Sequence, residues 1–233
     1  MVYNWADWIH RLILPCHCIL CRGPDPGGLY LCSDCRDDLP WLDPGCPRCA
    51  LPTRAPGLPC GACQSLPPPF DACLALFRYA PPVDALFQQL KFGQGLYLAR
   101  LFAALLAERL TDAARPDCIL PVPLHPRRQR ERGFNQALEI ARPLARSLGC
   151  RLDTASCVRE RATPPQAQLS AAQRRRNLRD AFALARPLAG RHIALLDDVM
   201  TTGSTLAALA DLLRRAGAER IDVWVCARTA RET

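Results

Sequence analysis

The sequence predicts an α/β architecture: a mostly parallel sheet flanked by helices, preceded by a small cysteine-rich module. Three observations carry this reading. From Phe70 onward, short apolar runs alternate with stretches of helical periodicity; the N-terminal part carries a regular ladder of cysteines; and one apolar run ends in two adjacent acids and a hydroxyl-rich turn. Alternation of strand and helix is the signature of parallel strands joined by helical crossovers. At 233 residues the chain has room for one ordinary α/β domain and a small appendage. With 49% hydrophobic and 22% charged residues it can bury a core, which excludes wholesale disorder.

The elements follow in order. Residues 1–14 hold Trp5, Trp8, Ile9, Leu12, Ile13 and Leu14, interrupted by Asp7, His10 and Arg11, and read as an amphipathic helix. That interruption excludes a signal-peptide core, and no run approaches the ~20 apolar residues of a membrane span. A cytoplasmic, reducing location is the expectation. Pro67-Pro68-Pro69 suits a stiff linker, giving domains 1–66 and 67–233. Beyond it the pattern predicts a strand over 72–79, helices over 82–91 and 96–110, a buried strand over 118–123, and a helix over 135–148. A strand over 192–196, a helix over 204–216 closed by Gly217, and a strand over 221–226 complete it.

Fourteen cysteines in a reducing compartment call for something other than disulfides. Eight of them form four C-x-x-C pairs, Cys18/Cys21, Cys32/Cys35, Cys46/Cys49 and Cys60/Cys63, each starting fourteen residues after the last. Two thiolates in one tight turn can face one ion, and two such knuckles complete a tetrahedral sulfur site, so four knuckles supply two structural zinc ions. Spacing leaves sequential and crossed pairing of knuckles both open. Cys16 and His17 compete for the place of Cys18, which alone keeps the repeat. Turn residues such as Pro24-Asp25-Pro26-Gly27-Gly28 leave little core material, so metal must supply the folding energy of this module. Cys73, Cys118, Cys150, Cys157 and Cys226 read as small apolar residues.

In parallel sheets ligands bind beyond the carboxyl ends of strands. There the run His192-Ile193-Ala194-Leu195-Leu196 leads into Asp197-Asp198, and Thr201-Thr202-Gly203-Ser204-Thr205 turns into a helix. Amide hydrogens, four hydroxyls and a helix N-terminus converging on one turn form a phosphate cradle, and Gly203 permits close backbone approach. Carboxylates one step before it can accept hydrogen bonds from vicinal sugar hydroxyls and help fix a magnesium ion. A surplus of Lys+Arg 30 over Asp+Glu 22, formally +8, favours anionic partners but does not separate a nucleotide from nucleic acid or from plain solubility.

The segment Leu195 to Thr205 resembles the diphosphate-sugar binding motif of type I phosphoribosyltransferases. Arg132-Gly133-Phe134-Asn135-Gln136, the stretch from Gln166 to Asn177, and the cysteine-rich head together resemble the ComF family, GntX-type proteins included. The resemblance covers nearly the whole chain. It implies the type I phosphoribosyltransferase fold behind a double zinc ribbon, and binding of phosphoribosyl pyrophosphate with magnesium. Asp197, Asp198 and Arg132 are then the catalytic candidates. Thr201, Thr202, Gly203, Ser204 and Thr205 would hold the 5′-phosphate, with Arg127, Arg128 and Arg132 on the pyrophosphate.

Residues 123–132 should form the loop near the pyrophosphate, with His125 a loop residue first and an acid only second. Residues 159–177 resemble a hood that closes over the site, and Lys91 is either a site residue or a surface helix end. The family likeness also implies a role in competence. A second reading is therefore a non-catalytic accessory factor that binds single-stranded DNA or proteins of the DNA-uptake machinery through the head and the arginines. Against base-specific recognition stands the lack of a groove-reading helix, and 6% aromatic residues offer few stacking platforms.

Overall fold

The computed structural model describes residues 17–25, 27–43, 45–53, 57–92, 95–111, 113–161 and 181–229. The expected N-terminal helix over 1–14 and most of the expected hood lie outside the described residues. The chain divides into two compact units, 1–40 and 41–233.

The first unit is built from turns and one short helix, α1 (Ser33–Asp37). The amides of Cys18 and Ile19 donate to the carbonyls of Gly23 and Tyr30 at 2.8 and 2.9 Å, folding the chain back on itself. The left-handed backbone at Arg22 and Tyr30 makes these reversals.

The second unit opens with another cysteine knuckle and α2 (Gly61–Ser65), then proceeds to the sheet. Its elements are β1 (Ala72–Arg78), α3 (Val83–Lys91), α4 (Tyr97–Arg109), β2 (Cys118–Pro121), α5 (Pro126–Arg132), α6 (Gln136–Leu148), β3 (Arg151–Leu152), β4 (Cys157–Arg159), β5 (Phe182–Leu184), β6 (His192–Met200), α7 (Ser204–Arg215) and β7 (Arg220–Arg228). Five strands form one sheet in the order β1-β7-β6-β2-β3, every pairing parallel. The short strands β4 and β5 pair antiparallel to each other and bracket the undescribed residues 162–180.

Period-two alternation places the core. Ile193 and Leu195 of β6, with Ile221, Val223 and Val225 of β7, share a buried cluster with Leu206, Leu209 and Leu213 of α7. Alternate residues Ala194 and Leu196 are equally buried and turn to the opposite face. Helix α6 starts at Asn135, whose Oδ1 accepts from the Leu138 amide and whose Nδ2 donates to the Val122 carbonyl at 3.0 Å. The same side chain thus caps the helix and moors it to the end of β2. Gly149 in the left-handed region closes α6.

The strand that carries the acids is longer than the apolar run that suggested it. It continues to Met200, with Asp197 paired to Val225, Val199 to Ala227 and Met200 to Arg228. Neighbouring β7 is buried along this whole stretch, from Val225 to Arg228, so the ladder outlasts the apolar pattern of β6 itself. Residues 126–132, expected as loop, form helix α5 instead. His125 caps it, Nδ1 accepting from the Arg127 amide at 3.1 Å; Pro126 is its first residue and Gly133 ends it at φ 79°. Arginine-rich composition hid this helix, because it has no buried face to give a periodic pattern.

Candidate functional site

Two sites emerge. In the first, Cys18, Cys21, Cys32 and Cys35 bring their sulfurs within 4.8 Å of one another, and Cys46, Cys49, Cys60 and Cys63 do the same. The knuckles therefore pair in sequence order. A tetrahedron with Zn–S bonds of ~2.3 Å has S···S edges of about 3.8 Å. The Cys21–Cys32 and Cys49–Cys60 sulfurs are each 3.7 Å apart.

The electrostatics ask for a cation. Burial works against the Cys18 thiolate, yet amides of Cys21, Cys32 and Leu20 outweigh it and bring its pKa down to about 6. Cys46 falls to about 7 in the same way: burial opposes its thiolate, and amides of Cys60, Arg48 and Cys49 prevail. Their neighbours move the other way, Cys49 to about 11 through burial and Cys63 further through burial and adjacent sulfur. Four crowded sulfurs cannot all ionise unless a metal ion joins them. His17 is outside both sets.

The second site is a cleft of ≈ 290 Å³ at the carboxyl ends of the strands. Tyr79 follows β1, Val122 follows β2, Asp197 and Asp198 occupy the last half of β6, and Thr229 follows β7, all lining the cleft. Parallel pairing alone brings these strand ends to one edge. Asp197 Oδ1 accepts from the Asp198 amide at 2.9 Å and Asp198 Oδ1 from the Val199 amide at 2.7 Å, which fixes both carboxyl groups. Burial, and then the charge of Asp198, push the Asp197 carboxyl well above the usual carboxylate range.

Basic groups face the acids. Lys91, the only lysine in the chain, ends α3 with Nζ 3.9 Å from Asp198 Oδ2. Arg128 and Arg132 of α5 and Arg159 at the end of β4 line the same cleft. Burial and the nearby Arg128 lower the Arg159 pKa, against the pull of Asp197. Arg132 Nη1 donates to Gln136 Oε1 at 3.1 Å, leaving the buried Gln136 Nε2 with no partner among the described residues. A buried donor without an acceptor is costly, and its place in the cleft wall suits a ligand oxygen.

Between Met200 and α7 the chain turns through Gly203 at φ 78°, where a Cβ would collide with the Met200 methyl. Thr201 and Thr205 line the cleft. Thr202 and Ser204 pair hydroxyls at 2.7 Å beside it. Arg127 turns away to Glu131 at 2.9 Å and does not line the cleft. Tyr79, Gln136 and Arg159 were not singled out from sequence. Gln136 could have been, since it stands inside the Arg132–Gln136 motif and opens a helix. Arg159 ends a short strand and Tyr79 follows a distant one, and both gain their meaning only from the tertiary fold.

A family pattern described as phosphoribosyl transferase domain matches residues 135–233, and one described as double zinc ribbon domain matches residues 9–64. The chain is 43% identical over 225 residues to a DNA utilization protein YhgH of Escherichia coli strain K12, covering 94% of this chain and 99% of that one. To Competence protein F of Haemophilus influenzae it is 37% identical over 225 residues, covering 91% and 96%. A purine phosphoribosyltransferase from Pyrococcus horikoshii Ot3 aligns at 19% identity over 57% of this chain and 84% of that one, with a TM-score of 0.36. The parallel sheet, its strand-end cleft and the paired sulfur clusters thus define a phosphoribosyltransferase-type domain joined to a zinc-bearing double ribbon. The chain belongs to the ComF family of YhgH-like and competence-protein-F-like proteins.

Metal analysis is expected to return about two zinc ions per chain, and Cys63→Ser about one. Unchanged zinc in that variant would contradict the sulfur set. The raised Asp197 pKa carries a second expectation. A carboxyl whose folded pKa is raised costs stability above that pKa, so Asp197→Asn should raise the melting temperature of the ligand-free protein at mildly alkaline pH by about 2–4 °C. The gain should shrink as pH falls through the raised pKa and vanish below the ordinary carboxylate range. A melting temperature unchanged or lowered at alkaline pH would refute it.

Proposed function

We propose that the cleft binds phosphoribosyl pyrophosphate with magnesium and serves transfer of the phosphoribosyl group. The observation that carries this reading is the conjunction of Asp197-Asp198 at the end of β6 with the Gly203 turn into α7, opposite Arg128 and Arg132. The family pattern over residues 135–233 supports it. The residues suit the ligand. Asp197 and Asp198 accept hydrogen bonds from the vicinal ribose hydroxyls, and the turn from Thr201 to Thr205 offers amides, hydroxyls and a helix N-terminus to the 5′-phosphate. Arg128, Arg132 and Arg159 face the pyrophosphate, and the orphaned Gln136 Nε2 gains an acceptor.

Two adjacent carboxyl groups with Asp197 resisting ionisation also suit a divalent cation, which would screen charge on the leaving pyrophosphate. Reaction breaks the bond between the anomeric carbon and the pyrophosphate oxygen while an acceptor lone pair forms the new bond. Positive charge builds on the ring, so the protein's part is to hold the ribose, neutralise the departing oxygens and exclude water. We assign the division 1–66 and 67–233 to a zinc-bearing head and this transferase-type domain, and a cytoplasmic location. Among the described residues no helix is long and apolar enough to cross a membrane.

A second reading is favoured by the exposed basic face of α5, where Arg127 and Arg130 point outward, together with the names of the relatives, one for DNA utilization and one for competence. It is an accessory role in which that face and the head contact single-stranded DNA or uptake proteins. The two readings are compatible, since Arg127 and Arg130 lie off the cleft wall.

The expected outcome for Asp197→Asn with Asp198→Asn is loss of magnesium-dependent phosphoribosyl pyrophosphate binding in calorimetric titration; wild-type affinity in that double variant would remove the assignment. For the second reading, single-stranded DNA should be retained at low salt and released as salt rises, and Arg127→Ala with Arg130→Ala should flatten that dependence. No retention at low salt would reject it.

A further inference from the structure

The sulfur cluster Cys46/Cys49/Cys60/Cys63 and the Gly203 turn are far apart in sequence, yet one buried side chain spans them. Arg228, at the end of β7 and 2% exposed, donates through Nε to the Cys49 carbonyl at 3.1 Å. Its Nη1 donates to the carbonyls of Met200 at 3.0 Å, Thr229 at 3.1 Å, and Thr201. Cys49 holds the metal by its Sγ, and its carbonyl belongs to the same rigid knuckle, closed by the Ala50 amide donating to the Cys46 carbonyl at 2.8 Å with Ala50 in the left-handed region.

A second route runs beside the first. The Cys73 amide donates to the Pro47 carbonyl inside the knuckle at 2.8 Å, the Cys73 thiol meets the Met200 sulfur at 3.8 Å, and the Met200 methyl fills the space under Gly203. Both routes end on the residues that open the turn.

We infer that Arg228 is a positioning residue that couples the metal of the second sulfur cluster to the shape of the Met200–Gly203 turn. Zinc there acts as a structural effector of anion binding in the cleft. The physical case is one of rigidity. A turn whose own donors must stay free for a ligand cannot be held by its amides, so it is held from behind through its carbonyls. A planar guanidinium can grip several carbonyls at once in fixed directions, which a lysine ammonium cannot reproduce. Fixing Cys49 by its sulfur fixes the anchor at the far end of the fork. This inference rests on the proposed function for the identity of the anion, and its structural half stands without it.

The chain has two methionines, Met1 and Met200, so methyl-13C-methionine labelling of the full chain places one reporter beneath the turn. Zinc-loaded Arg228→Lys, which keeps the charge and loses the fork, should shift and broaden the Met200 methyl signal. It should weaken phosphoribosyl pyrophosphate binding by about tenfold, within the usual range of coupling between sites. Cys63→Ser should do the same through the other end. Because both act on one link, the double variant should lose about tenfold and not a hundredfold.

Coupling is reciprocal, so phosphoribosyl pyrophosphate with magnesium should slow zinc release to a chromogenic chelator in wild type and fail to slow it in Arg228→Lys. An unmoved Met200 signal with wild-type affinity in Arg228→Lys overturns the inference, as do multiplicative losses in the double variant. Should Cys63→Ser not fold, the Arg228→Lys spectrum and the zinc-release rates decide alone. If wild type binds no phosphoribosyl pyrophosphate, the proposed function fails, while the Met200 signal of Arg228→Lys still decides the link.

Discussion

The feature on which the cleft depends is a pair of adjacent carboxyl groups at the end of the central strand. Asp197 and Asp198 are held by successive backbone amides and partly shielded from water, so their charges repel with little screening. The rest of the cleft answers that repulsion. Lys91 reaches Asp198, and Arg128, Arg132 and Arg159 face the same space from α5 and β4. In a chain otherwise served by arginine, the single lysine stands where a compact point charge is needed beside a carboxylate. Half-buried acids thus share one cleft with a lysine and three arginines.

The opposite solution operates in the cysteine ladder. There the repelling groups are thiolates, four to each set within 4.8 Å of one another. Metal takes that place and also that of the missing apolar core. In the second cluster these roles extend into the sheet, because Cys46, Cys49 and Cys63 share a buried cluster with Phe70, Ala75 and Met200. The second ribbon is therefore part of the wall behind the Met200–Gly203 turn.

Much of this was legible in the residues. The fourteen-residue step of the cysteine pairs, the acids at the end of an apolar run and the glycine in a hydroxyl-rich turn each carry their chemistry locally. The strands β1, β2, β6 and β7 and the helices α3, α4, α6 and α7 show periodicity because each buries one face or both. Elements without such a face show no pattern: helix α5, arginine-rich and with no buried residue, and strands β3, β4 and β5, too short to show a period.

By itself the sequence determined the fold class, the sulfur ligands and the acid-and-hydroxyl motif, because spacing of two, three or four residues dictates which side chains share a turn or a face. It takes the tertiary structure to show that knuckles pair in order, that Lys91 meets Asp198 while Arg127 pairs with Glu131, and that Arg228 ties Cys49 to Met200. Those are long-range choices, set by the order in which parallel strands lie side by side, and no local pattern encodes that order.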